Sequence, residues 1–214
     1  MRDEMEQIVV IGGGGHAKVV VSMLRKLERF SVLGYTDLRN NGTLLDVQHL
    51  GDDDVLTSLA ANGRVLNAAL GIGQVGLGKA RSELRERLSS LRLKFPVIVS
   101  PKAIVNEDVD LGDGTVVMDG AVINSGAAIG IAAIVNTSSV VEHDVILGDW
   151  IHVAPGVTIS GGTKVGDRSM IGVGAVIIEG RTIAADCIIG AGAVVIHDLT
   201  EPGVYAGCPA RRIR

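Results

Sequence analysis

From Val105 onward every sixth residue is aliphatic: Leu111, Val117, Ile123, Ile129, Val135, Val141, Leu147, Val153, Ile159, Val165, Ile171, Ile177, Ile183, Ile189 and Val195. All sixteen positions are Val, Ile or Leu, and no insertion breaks the count. A period of six is neither the 3.6 of a helix nor the 2 of a plain strand, and sustained repetition of this kind marks a solenoid. Each hexad supplies one short strand whose aliphatic side chain points inward, then a corner where a small residue permits tight turning. Three such strands close one triangular coil, so the run makes just over five coils, roughly 25 Å tall at the ~4.8 Å spacing of paired strands. Two residues before each aliphatic stands mostly a small or β-branched residue (Ala103, Thr115, Ala121, Ser139, Cys187), with Arg181 the exception.

Composition fits thin, repetitive layers. Glycine occurs 29 times in 214 residues, about twice the average share, and aromatics are 2% of the chain. Two cysteines cannot build a disulfide framework, which points to a reduced, cytoplasmic protein. A net charge of −4 argues against a nucleic-acid binder or a basic membrane-surface protein. The apolar run Ile8–Ile11 is too short for a signal-peptide core. Gly120–Val141 has no charge over 22 positions, but its Asn124, Ser125, Asn136, Thr137, Ser138 and Ser139 speak against membrane insertion.

The first hundred residues follow another grammar. They carry 13 basic and 11 acidic residues, against 7 and 13 in the remainder. IVVIG, SVLGYTD, RVLNAAL and KFPVIV read as strands, HAKVVVSMLRKLERF and GKARSELRERLSSL as helices. The expected organisation is therefore a Rossmann-like α/β domain with a parallel sheet over 1–100 and a parallel β-helix with a C-terminal tail over 101–214.

After the first strand, Gly12-Gly13-Gly14-Gly15-His16-Ala17 fits G-x-G-x-x-A, and Asp37 follows Ala17 by twenty residues at the end of the second strand. In that arrangement backbone N–H groups and a helix N-terminus meet a phosphate while the acid takes a ribose hydroxyl. About a hundred residues make one mononucleotide-binding half rather than two, so a nucleoside diphosphate fits better than a dinucleotide.

The solenoid holds His143, His152 and His197. His143 and His197 are separated by three whole coils and stack on one corner about 14 Å apart, too far to share a reaction centre. His152 is half a coil from His143 and faces another side of the prism, so the two serve one site only if they come from adjacent subunits. Three converging histidines, as a zinc hydratase needs, are not available from these phases, and no metal is expected. Cys187 falls on an inward small position and Cys208 in the tail, which argues against a covalent acyl-enzyme.

The hexads, the tail Gly207-Cys208-Pro209-Ala210 and the opening GGGGHAKVV together resemble the bacterial sugar acyltransferases that join a nucleotide-binding domain to a left-handed parallel β-helix. Within that group, NTSSVVEHD is most similar to N-acetyltransferases of nucleotide-linked 4-amino-4,6-dideoxy sugars and to the related sialic acid O-acetyltransferases. The resemblance implies the left hand of the coil, acetyl-CoA as co-substrate, and a homotrimer with active sites between neighbouring helices. It implies His143 as general base, with Asp144, where relatives often have Glu, fixing its tautomer. Gly13, Gly14, Gly15, His16 and Asp37 are implied to hold the nucleotide-sugar, with Gly71 and Gln74 at a second glycine-rich strand end beside Arg81, Gln74 standing where Asn is expected. Asn136 is implied at the substrate, and His152, Gly161 and Val173 along acetyl-CoA. His197-Asp198 reads as structural, and Arg211, Arg212 and Arg214 as a solvated tail. Sugar O-acetylation and a non-catalytic nucleotide-sugar-binding trimer remain alternatives, and UDP, GDP and dTDP all remain open.

Overall fold

Ile8, Val9, Val10 and Ile11 are all fully buried, a continuous apolar run that suits a strand covered on both faces rather than one with a wet side. In the computed structural model, which describes residues 5–61 and 66–214, this run is the centre of a parallel sheet. The strands are β1 (Glu6–Ile11), β2 (Phe30–Thr36), β3 (His49–Gly51), β4 (Leu66–Leu70) and β5 (Leu93–Lys94), in the order β3-β2-β1-β4-β5. The order reverses beside β1, and in open α/β sheets ligands bind at the carboxyl ends of the strands next to such a reversal.

Helix α1 (Gly15–Lys26) follows β1 and buries Ala17, Val20, Val21 and Leu24, one stripe at i, i+3, i+4 and i+7, together with Met23. Helices α2 (Val55–Ala60) and α3 (Lys79–Arg87) are the other helices among the described residues. His49–Gly51 and α2 went unread in the sequence, where no long apolar pattern marks them. The segment KFPVIV is not one strand. Pro96 lacks an N–H for a ladder, and the chain divides there between Leu93–Lys94 of the α/β sheet and Ile98–Val99, the first strand of the solenoid.

Two compact units result, Met1–Gly73 with Arg81–Ile98, and Gln74–Ala80 with Val99–Arg214. A short segment, Gln74–Ala80, therefore leaves the α/β unit and packs with the solenoid. Gly78 N–H donates to the Arg168 carbonyl at 3.0 Å and Gly76 N–H points at Met170 Sδ at 2.9 Å.

The solenoid has three parallel sheets, whose partners are 18 residues apart, as in Val122↔Val140 and Ile134↔His152. The first sheet holds Ile104–Val105, Val122–Ile123, Val140–Val141, Thr158–Ile159, Val176–Ile177 and Val194–Val195. The second runs from Asp110–Leu111 to Thr182–Ile183, and the third contains Val116–Val117, Ile134–Val135, His152–Val153 and Met170–Ile171. From Val117 to Val195 every hexad aliphatic is buried, and Val105 and Leu111, in the first coil, are partly covered. Stacking explains the difference, since an end coil has a neighbour on one side only. The charge-free stretch Gly120–Val141 is part of these coils, and among the described residues no helix is long and apolar enough to cross a membrane.

The expected corners hold two kinds of residue. The left-handed residue comes three positions after the aliphatic, in Asp108, Gly114, Gly120 and so on to Asp186 and Gly192, with φ near +60°. The glycine directly after the aliphatic has another purpose. A methyl group on Gly112 would lie 2.6 Å from the backbone of Gly130 and Ile131 in the next coil, so its bare Cα allows coils to stack at sheet spacing.

Candidate active site

Val140–Val141 lies in the first sheet, and the chain turns at once toward the second, so Glu142, His143 and Asp144 occupy an outer corner. Asp144 is this corner's left-handed residue, with φ 59°. That conformation costs an ordinary residue energy, and Asp adopts it more readily than most. His143 and Asp144 are 60% and 71% exposed at the side chain, and Nδ1 of the ring lies 2.8 Å from Asp144 Oδ2. A carboxylate at Nδ1 assigns the proton there and leaves the Nε2 lone pair as the basic atom. The hydrogen bond to Asp144 holds the imidazole above its ordinary pKa; desolvation opposes this, and the charges of Asp144, Glu142 and Glu179 add to it.

The coil above supplies Gly161 against the ring edge. A Cβ at that position would lie 2.6 Å from both Cε1 and Nε2 of His143. Gly161 thus stands with His143 at the corner between the first and second sheets.

A second group gathers at the opposite edge of the first sheet. His152, an outward residue of the third sheet, is 8% exposed. Its Nδ1 is 2.8 Å from the Gln74 carbonyl oxygen and its Nε2 is 3.1 Å from Asn136 Nδ2. Asn136 Oδ1 accepts from Thr137 N–H at 2.7 Å, which orients the amide so that its NH₂ faces the ring. The network therefore assigns His152 as the Nδ1–H tautomer, donating to Gln74 and accepting from Asn136. Val173 lies one corner along on the same edge and is 54% exposed.

One chain thus brings His143 to Asp144 and Gly161, and Asn136 to His152, and holds the two groups apart. The outward column Ile104, Val122, Val140, Thr158, Val176 and Val194 separates them. His197 shares the corner of His143, but Asp198 Oδ1 accepts from Thr182 N–H at 3.0 Å, so this pair does not repeat the first.

In the α/β unit, Gly13 N–H donates to Asp37 Oδ2 at 2.7 Å and Arg39 N–H to Oδ1 at 3.0 Å. The carboxylate organises the glycine loop, and it keeps lone pairs for a further donor. A Cβ on Gly13 would meet the Tyr35 ring at 2.6 Å, whereas one on Gly14 or Gly15 would meet nothing within 4 Å. Gly71 permits close packing: a Cβ there would lie 2.7 Å from Val10 and 3.0 Å from Ala17. The loop next to His16 closes against Gly73, whose Cβ would lie 3.2 Å from that of His16.

Gln74 belongs to the solenoid unit. It is 5% exposed, and its side-chain NH₂ donates to the Gly76 carbonyl at 3.1 Å and faces that of Ser169 at 3.5 Å. Its backbone oxygen meets His152 Nδ1 at 2.8 Å, a contact that no side-chain pattern announces. Arg81 is 1% exposed, and burial pushes its guanidinium down to about 10, still charged at neutral pH. Among the described residues no cluster of three or more His, Cys, Asp or Glu is placed to hold a metal ion.

Comparison with known proteins places the chain in a family. The family model of the PglD N-terminal domain matches residues 7–88. The acetyltransferase domain of PglB from Neisseria gonorrhoeae FA1090, solved in complex with acetyl coenzyme A, is 32% identical with a TM-score of 0.90, covering 98% of this chain and 100% of that one. A variant of perosamine N-acetyltransferase from Caulobacter crescentus, in complex with CoA and GDP-perosamine, is 37% identical with a TM-score of 0.91, covering 99% and 98%. UDP-N-acetylbacillosamine N-acetyltransferase of Bacillus subtilis (strain 168) is 32% identical over 115 residues, 53% of this chain, so the match spans about half (52%) of that curated relative. With a parallel-sheet α/β unit, a parallel solenoid and these identities over nearly the whole length, the chain belongs to the family of bacterial sugar N-acetyltransferases.

Proposed function

We propose that this protein transfers the acetyl group of acetyl-CoA to the C4 amine of a nucleotide-linked 4-amino-4,6-dideoxy sugar, with His143 as the general base. One observation carries the reading: an exposed imidazole whose Nδ1 is held by Asp144 at 2.8 Å, so that Nε2 is left to take a proton. The amine nitrogen attacks the thioester carbonyl carbon, and Nε2 accepts the N–H proton as the C–N bond forms. Collapse of the tetrahedral intermediate breaks the C–S bond and releases CoA as its thiol, the proton returning from the imidazolium. No covalent acyl-enzyme is needed.

The glycine loop at Gly13–His16, with Asp37, binds the nucleotide of the acceptor. The relatives act on or hold UDP- and GDP-linked sugars, which makes these the first two nucleotides to compare, UDP being our choice. The protein works as a homotrimer. Packing the aliphatic column of the first sheet against a second copy brings the His143 corner of one copy toward the Asn136–His152 edge of its neighbour, with Gly161 and Val173 beside acetyl-CoA. Sedimentation gives the oligomeric state directly.

The deciding assay follows CoA release with UDP- and GDP-linked 4-amino-4,6-dideoxy sugars for the wild type and His143→Ala. Loss of the base lowers turnover by about 10²- to 10⁴-fold. Near-normal turnover by the variant refutes His143 as the base, and acceptance of a hydroxyl sugar in place of the amine refutes the acceptor class.

A further inference from the structure

The His143–Asp144 pair is confined between two glycines of the neighbouring coils. Above it, a Cβ on Gly161 would lie 2.6 Å from Cε1 and Nε2 of the ring; below it, a Cβ on Gly126 would lie 2.7 Å from Asp144 Oδ1. The coils are in register here, since Gly162 N–H donates to the His143 carbonyl at 2.9 Å and Asp144 N–H to that of Ser125 at 3.2 Å. Contacts under 3 Å to a Cβ do not persist, so one partner must move. At Gly161 the partner is an exposed side chain, which rotates away with little cost to the fold. The movement carries the ring off Asp144 and moves its basic nitrogen.

We propose that Gly161 is a positioning residue for the acyl transfer: its missing side chain is the bed on which the His143 imidazole lies in register with Asp144. Gly161 is not left-handed, unlike Gly162 with φ 65°, so an alanine fits its backbone, and the nearest atoms its methyl group meets are those of the ring. This makes the variant a selective probe, because it removes no polar group and leaves every backbone donor in place. The inference rests on His143 being the base, and its test separates the two.

The experiment compares Gly161→Ala, Gly161→Ser, His143→Ala and the double variant Gly161→Ala with His143→Ala. It measures kcat and KM with acetyl-CoA and the amino-sugar acceptor, and it follows the His143 ring by side-chain NMR titration. Gly161→Ala and Gly161→Ser are expected to lower kcat about 10- to 100-fold with KM for the acceptor changed less than about 3-fold. In both, the His143 titration moves to lower pH as Asp144 is lost, and the melting temperature stays within about 3 °C. In the His143→Ala background, Gly161→Ala is expected to change nothing further. A wild-type kcat together with an unmoved His143 titration overturns the proposal. So does an equal loss of activity with and without the histidine, or a melting temperature low enough to unfold the chain under assay. If His143→Ala keeps its turnover, the base assignment falls instead, and the titration still reports whether Gly161 seats the ring.

Discussion

His152 is the place where the fold and the candidate site depend on the same hydrogen bonds, and replacing it by Phe tests that dependence. The ring occupies a site only 8% exposed and joins Gln74 O at 2.8 Å to Asn136 Nδ2 at 3.1 Å. Phe preserves a flat ring and removes both nitrogens, which leaves a carbonyl oxygen and an amide N–H facing carbon where water has little access. An unsatisfied buried polar group costs about 1–3 kcal/mol. Two of them, softened by some rearrangement of the Asn136 amide, amount to about 2–5 kcal/mol. For a chain of this length each kcal/mol moves the midpoint by about 2–4 °C, so His152→Phe is expected to melt about 4–20 °C below the wild type. Calorimetry or circular dichroism reads the shift. The partner substitution gives a sharper check: Asn136→Ala and His152→Phe share one network, so their double variant is expected to be less destabilised than the two effects added. A melting temperature within about 2 °C of wild type for His152→Phe refutes the reasoning, as does strict additivity with Asn136→Ala.

Asp144→Asn puts a neutral amide in place of the carboxylate whose charged hydrogen bond raises His143. A base must be deprotonated to act, so kcat/KM of the wild type falls on the acid side with an inflection above the ordinary imidazole value, and in Asp144→Asn that inflection moves to lower pH; an unmoved limb refutes the pairing. Ile171→Ala empties a fully buried core position in the middle of the stack and is expected to cost about 2–5 kcal/mol by denaturant unfolding, a loss that an end coil would share only in part. Gly112→Ala, which drives a methyl group to 2.6 Å from backbone of the next coil, is expected to destabilise by about 1–3 kcal/mol. Gly156→Ala, with open space around it but φ 67°, is expected to cost only about 1 kcal/mol, and equal effects at the two sites would contradict the division of glycines by role.

The solenoid was legible because one rule, repeated sixteen times in the sequence, decides both burial and pairing. Once every sixth residue points inward and three strands close a coil, residues 18 apart must stack, and the phases of His143, His152 and His197 follow from counting. The glycine loop and Asp37 were legible for a similar reason, as strand, turn and helix signals stand in fixed order. What stayed hidden involves backbone atoms and missing ones. Gln74 contributes a carbonyl oxygen, which every residue carries, so nothing in its side chain marked it. Its segment joins the solenoid across some eighty residues of chain, beyond the reach of local pattern. The two kinds of corner glycine look alike in a sequence, one sparing a left-handed backbone and the other an approaching coil.

The same corner geometry accounts for the carboxylate beside His143. The position after His143 is the left-handed residue of its corner, φ 59°, where most corners of this solenoid use Gly and several use Asp. A β-branched residue is strongly disfavoured there, and Gly offers no acceptor. Asp tolerates the conformation, and its short side chain reaches Nδ1 of the preceding ring at 2.8 Å. One residue thereby satisfies the turn and the dyad together, so the departure from a longer acid at this position costs the site no contact. The coil period that specifies the fold also specifies where an imidazole and its carboxylate are able to meet.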